Sequence, residues 1–207
     1  MKILAVSDIV EPMLYKAFDA RRFAGIDLVL ACGDLPPEYL RFLVGAFSAP
    51  LYYVRGNHDL RYDTSPPAGG IDLHGRLVRW NALRLLGLEG SRWYNGGPYQ
   101  YREAQMRGLI RRLKPHFWLR GAPDIVVAHA PPRHVGDAED SCHRGFEVFG
   151  ELIAKYRPRY FIHGHIHRHF QRDVDRMTEV HATRVINAYG FVVLDYETGQ
   201  LAGRETV

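Results

Sequence analysis

Five places in this chain carry side chains that could bind a cation. They are Asp8, the pair Gly33-Asp34, the run Gly56-Asn57-His58-Asp59, His129, and the run Gly164-His165-Ile166-His167. Carboxylate oxygens, an amide oxygen and imidazole nitrogens suit divalent ions such as Mn, Fe, Zn or Ni. No thiolate joins them, so a structural zinc site is not favoured. Taken singly, a Gly-Asp pair reads as a turn, Asn-His-Asp as a polar loop, and His129 before Ala130-Pro131-Pro132 as a loop histidine. Taken together and in this order they read as a site.

What would position them is a set of short apolar runs, each ending just before one of these groups. Ile3–Val6 leads to Asp8, Leu28–Cys32 to Gly33-Asp34, and Leu51–Val54 to Arg55-Gly56-Asn57-His58. Ile125–Ala128 leads to His129, and Tyr160–Ile162 to His163-Gly164-His165. Runs of this length bounded by turn residues read as buried strands. In open α/β sheets ligands collect at the carboxyl ends of strands. Glycines 33, 56 and 164 permit the sharp turns that would aim neighbouring donors at one centre.

Helical patterns separate several of the runs. Leu40, Leu43, Val44 and Phe47 form one apolar stripe, and Phe146, Phe149 and Ile153 form another in Gly145–Tyr156, closed by Pro158. Alternating strands and helices argue for an α/β core. Ile71–Trp80 and Ala82–Leu88 suggest a hairpin, and Arg184–Ala188 and Phe191–Tyr196 flank a turn at Tyr189-Gly190. Ser65–Gly70 is the best linker candidate but is too short to divide the chain, so residues 1–207 are expected to form one domain.

The ordered set from Asp8 to His167 resembles the calcineurin-like metallophosphoesterase superfamily. That resemblance implies a four-layer α/β/β/α sandwich with two divalent metal ions at one edge, Mn favoured. By position it implies that Asp34 bridges the ions, that Asp8 and His167 hold the first, and that Asn57, His129 and His165 hold the second. It implies that His58 touches no metal and instead protonates the leaving group or steadies the transition-state charge.

The chain departs from the family at Val10. The family usually has a histidine two residues after the first Asp, as a ligand to the first metal. Its absence makes that site weaker in expectation. Glu11 is the nearest carboxylate and offers a replacement, but an acid at a helix start beside Pro12 is the preferred reading. Asp140, His143, Arg55 and Arg133 read as loop polar groups. Arg102, Arg107, Arg111, Arg112 and Lys114 decorate one helix and read as a solvated face.

Bulk composition limits the function classes. Among 207 residues, 46% are apolar, enough for a sizeable core, and 27 basic against 23 acidic side chains give a net charge of +4. That charge permits a nucleic-acid partner without indicating one. Two cysteines, Cys32 and Cys142, make no disulfide framework. No run approaches the ~20 apolar residues of a membrane span. No membrane partner is expected, and the protein reads as cytoplasmic. The expectation is a metal-dependent phosphoesterase acting on phosphodiesters or phosphomonoesters. The alternatives are a non-catalytic protein-binding scaffold on the same fold, or a nuclease.

Overall fold

The computed structural model describes residues 1–203. The strands are β1 (Lys2–Ser7), β2 (Ile26–Ala31), β3 (Leu51–Tyr53), β4 (Gly70–Asp72), β5 (Leu77–Trp80), β6 (Leu83–Leu88) and β7 (Ser91–Arg92). They continue with β8 (Gln100–Tyr101), β9 (Ile125–Ala128), β10 (Tyr160–His163), β11 (Met177–Val180), β12 (Thr183–Asn187), β13 (Gly190–Asp195) and β14 (Leu201–Ala202). The helices are α1 (Pro37–Phe47), α2 (Glu103–Arg120) and α3 (Glu147–Tyr156).

Two six-stranded sheets result, in the orders β14-β13-β1-β2-β3-β4 and β11-β12-β10-β9-β6-β5, with β7 and β8 as a small separate pair. In the first sheet β1 through β4 are parallel. In the second, β6, β9, β10 and β12 are parallel. The apolar strands of both parallel blocks are covered on both faces, as continuous apolar runs require.

The period-2 alternation of each strand sorts its side chains into layers. On β1, Ile3 and Ala5 enter the core between the sheets, while Leu4 and Val6 meet the α1 side. On β10, Tyr160 and Ile162 enter the same central core, and Phe161 meets the side of α2 and α3. The order of layers is therefore helix, sheet, sheet, helix, as the family resemblance implies. The α1 stripe buries Leu40 and Leu43. The α3 helix ends at Arg157, whose φ of 49 is left-handed, because the following proline disfavours a helical residue before it.

One expectation fails in part, in an instructive way. The segment 71–80 is not one strand of a hairpin. Its first part, β4, belongs to the first sheet, and its last part, β5, pairs with β6 in the second. The strands expected on either side of Tyr189-Gly190 do form, and the turn between them carries the chain from β12 in one sheet to β13 in the other. Alternation reports which face is buried, and it cannot report which of two sheets supplies the partner.

The first crossing depends on Gly87 in β6. Residues 73–76 lie directly on it: Gly75 donates to the Gly87 carbonyl at 3.0 Å, and Gly87 donates to the Arg76 carbonyl at 3.4 Å. A Cβ at Gly87 would overlap Leu73. Gly87→Ala is expected to lower the unfolding free energy by about 1–3 kcal/mol through overpacking, read from urea denaturation midpoints.

Candidate metal centre

The parallel register brings the strand ends level. In the first sheet the Cys32 amide donates to the Val6 carbonyl at 2.8 Å, and the Val54 amide to the Ala31 carbonyl at 3.0 Å. In the second, the His129 amide donates to the Leu88 carbonyl at 3.2 Å, and the Gly164 amide to the His129 carbonyl at 3.0 Å. Each chain then turns away within two residues. Asp8, Asp34 and His165 have φ of 68, 57 and 67, the left-handed region that L residues seldom occupy. Each such residue costs about 1–3 kcal/mol, a strain that collects at functional sites. The glycines fit the same purpose, since a side chain at Gly56 would overlap the Asp34 carboxylate and one at Gly164 would overlap Ser7.

Asp34, His129 and His165 each present one donor atom, all within 4.8 Å of one another. Their outer contacts fix which atoms face inward. His129 Nδ1 donates to the Cys32 carbonyl at 2.8 Å, which directs Nε2 to Asp34 Oδ2 at 3.4 Å and Asn57 Oδ1 at 3.1 Å. His165 Nε2 donates to the Cys142 carbonyl at 2.8 Å and leaves Nδ1 for the centre. Carbonyl acceptors behind the imidazoles are the usual means of orienting metal-binding histidines. The Asn57 amide nitrogen donates to Tyr94 Oη at 3.3 Å, which leaves Oδ1 inward.

The charges are coupled. Burial alone would raise Asp34, but the His129 imidazole beside it and the His58 amide hold its carboxyl down at about 2. Burial opposes charge on His129, yet the adjacent Asp34 raises it to about 9. Burial, aided by the His129 charge, lowers His165 to about 3 and keeps it neutral. A positive charge is thus already favoured between Asp34 and Asn57, and neutral nitrogen faces it from His165. The residues fit a divalent cation.

The other predicted residues are arranged more loosely. The Asp8 side chain is fully buried, and its two oxygens accept from the His165 amide at 3.1 Å, a bond from one sheet's loop to the other's. His167 Nε2 lies 3.4 Å from Asp8 Oδ1, and its ring stacks on Tyr189. The close group of donors does not extend to Asp8, His167 or Glu11. His58 donates its backbone amide to Asp34 Oδ1 at 2.8 Å and exposes its imidazole. Val10 packs against the apolar core on the α1 side.

Glu11 departs from the helix-start reading. It precedes a single 3-10 turn, Pro12–Leu14, without a side-chain capping bond, and is only 1% exposed. Its carboxylate lies against Gly190, in the space a Cβ there would fill. The spacing of Glu11 and Pro12 mimics a helix start because the local pattern is the same; the burial comes from the distant crossing at Gly190.

Asp59 is the residue whose role the sequence pattern conceals. Its Oδ2 accepts from the Asp34 and Gly56 amides, both at 2.7 Å, and its Oδ1 from the Leu35 amide at 3.0 Å. It pins the loop of Asp34 to the loop of Asn57. Tyr94 had no sequence signal at all, because it arrives from the β7–β8 segment. Asp140 and His143 form a pair at 3.0 Å whose ring lies 5.3 Å from that of His165.

A family model described as calcineurin-like phosphoesterase matches residues 1–169. No curated protein matches. Among solved structures, the chain is similar to TT1561 of Thermus thermophilus, with 19% identity and TM-score 0.68 over 97% of this chain and 96% of that one. It is similar to an archaeal phosphodiesterase with 17% identity and TM-score 0.50, covering 98% of each. These two likenesses show the fold. The chain also resembles Vps29 of Chaetomium thermophilum, with 15% identity and TM-score 0.45 over 94% of this chain and 80% of that one, too distant to bear on function.

Asp59→Ala strands three amides, two of them buried, each worth about 1–3 kcal/mol when unpaired. The unfolding free energy is expected to fall by about 3 kcal/mol or more. Asp59→Asn retains one acceptor oxygen and is expected to lose less. Denaturant titration of both variants checks the order.

Proposed function

The chain belongs to the calcineurin-like phosphoesterase family, and from that premise we propose that it hydrolyses phosphate esters with a metal-activated water. The observation that carries this reading is the group of Asp34, His129 and His165 donors within 4.8 Å, with each imidazole locked by a backbone carbonyl. With Asn57 Oδ1 at 3.1 Å from His129, it makes four donors for one ion. Asp8 and His167, sharing Asp34, are the donors for a second. The mixed oxygen and nitrogen set suits Mn, Fe, Zn or Ni, and manganese is the ion expected. Bound divalent ions at such a site supply a water of lowered pKa and stabilise charge on phosphoryl oxygens.

The chain's own residues do the rest. Asp34 is held ionised, so the site carries the negative charge that a cation needs. The exposed His58 imidazole stands beside Asp34 on a cleft that also includes Leu35, Pro36 and Arg61. From there it can give a proton to a departing oxygen, or stabilise charge on it. The ester's two sides then meet different groups: the buried donors on the phosphoryl face and His58 on the leaving-group face.

A specific observation favours a second reading. Val10 lies on the α1-side core, and the first set lacks the compactness of the second. A protein that fills only one site would serve as a scaffold rather than a hydrolase. Turnover separates the two readings. Hydrolysis of an aryl phosphate or phosphodiester should appear with Mn and vanish with chelator. Absence of turnover with any divalent ion across such a panel would favour the scaffold.

Two further outcomes follow from the site's asymmetry. Metal titration of the apoprotein should show one tight equivalent, abolished by Asn57→Ala, and one weaker equivalent; two equal equivalents would contradict the asymmetry. His58→Ala should lower kcat by ~10²–10⁴ with metal content unchanged, read from steady-state kinetics beside elemental analysis.

A further inference from the structure

The outer face of α2 exposes more than solvation explains. Met106, Ile110, Leu113 and Phe117 form its buried face. On the solvent side stand Arg111, Arg112, Lys114, Trp118, Leu119 and Arg120. Trp118 is 84% exposed and Leu119 70%, the two highest values among the exposed large hydrophobic residues. Two helical turns separate Arg111 from Trp118 and Arg112 from Leu119, so each cation shares a line of helix surface with an apolar side chain.

The charge on this face is one-sided. From Ala104 to Pro123 there is no Asp or Glu. Among the described residues, Arg111, Arg112 and Arg120 have no carboxylate in an ion pair, and Glu151, which attracts Lys114, is held by Arg107. Arg76 and Arg79 line the adjoining cleft with Arg120. Solvation alone accounts for the cations. It does not account for a tryptophan and a leucine standing side by side in water.

We propose that this face adsorbs to an anionic phospholipid surface, with Trp118 and Leu119 in the headgroup region and the surrounding cations on lipid phosphates. Tryptophan suits that boundary, because its ring is apolar at one end and polar at the other. Cations spread around a projecting apolar tip match a plane of diffuse negative charge. A second copy of this chain is disfavoured, because a twofold contact through α2 would set its arginines against their like. The chain would lie on the membrane rather than cross it, since among the described residues no helix is long and apolar enough to span one.

The orientation follows from the fold. Arg84 near the start of β6 pairs with Asp124 just before β9 at 2.7 Å, and the end of α2 at Gly121 adjoins the Arg84 guanidinium. These are the amino ends of strands whose carboxyl ends lead to Glu89 and His129. Adsorption through Trp118 therefore leaves the metal-binding edge facing away from lipid and open to soluble substrate. The inference is independent of the phosphoesterase reading.

The test is co-sedimentation with vesicles of phosphatidylglycerol and phosphatidylcholine, against vesicles of phosphatidylcholine alone. Binding is expected only to the anionic vesicles and should weaken with salt. The double variants R111E/R112E and W118A/L119S should each bind at least about tenfold more weakly, with thermal unfolding unchanged. No binding to anionic vesicles, equal binding to both kinds, or undiminished binding by both variants would overturn the proposal. Binding to polyglutamate or duplex DNA in place of vesicles would overturn it too, and would assign the face to a macromolecular polyanion.

Discussion

Two carboxylates buried at the junction of the sheets constrain everything around them. The Asp8 side chain is fully buried and that of Asp34 only 9% exposed. Removing an unpaired carboxylate from water is expensive, so each must find donors or positive charge. Asp8 finds the His165 amide and the His167 imidazole. Asp34 finds the His58 amide and His129. In each case a donor comes from the opposite sheet, so the electrostatics of the site also joins the two halves of the sandwich.

That demand explains the unusual backbone nearby. A strand that simply continued would carry its next side chains to alternate faces and away from the junction. Left-handed residues at Asp8, Asp34 and His165 reverse the chain at once, and glycines at 56 and 164 make room for the oxygens that arrive. Asp59 then compensates the amides exposed by these turns. The strain is local, and the well-packed parallel strands beneath supply the rigidity that sustains it.

The opposite edge is governed by different physics. Around the donor cluster, charge is buried, paired and held in fixed geometry. On the outer face of α2, Arg111, Arg112 and Arg120 are exposed and, among the described residues, make no ion pair, and Trp118 and Leu119 stand in water. The two edges are separated by the length of the strands and share no residues.

Much of this was legible in the sequence. Donor types, their order, and apolar runs ending just before them specify strands that deliver polar donors to one edge, because strand burial and turn chemistry are local properties. The two-sheet architecture agrees with that reading, and it brings the Asp34, His129 and His165 donors together. Local pattern could not tell that segment 71–80 divides between two sheets, that Gly190 is a crossing with Glu11 buried against it, or that Tyr94 reaches Asn57. Nor could it show that Trp118 and Leu119 fall on the solvent side of the helix that carries Arg111 and Arg112. Those outcomes depend on which distant segments share a surface, and partner choice across a core is a property of the whole packed chain. The sequence by itself determined which groups could act and where on each strand they stand. The tertiary structure decided which of them meet, because burial energy and charge compensation are settled only when both sheets have closed on one another.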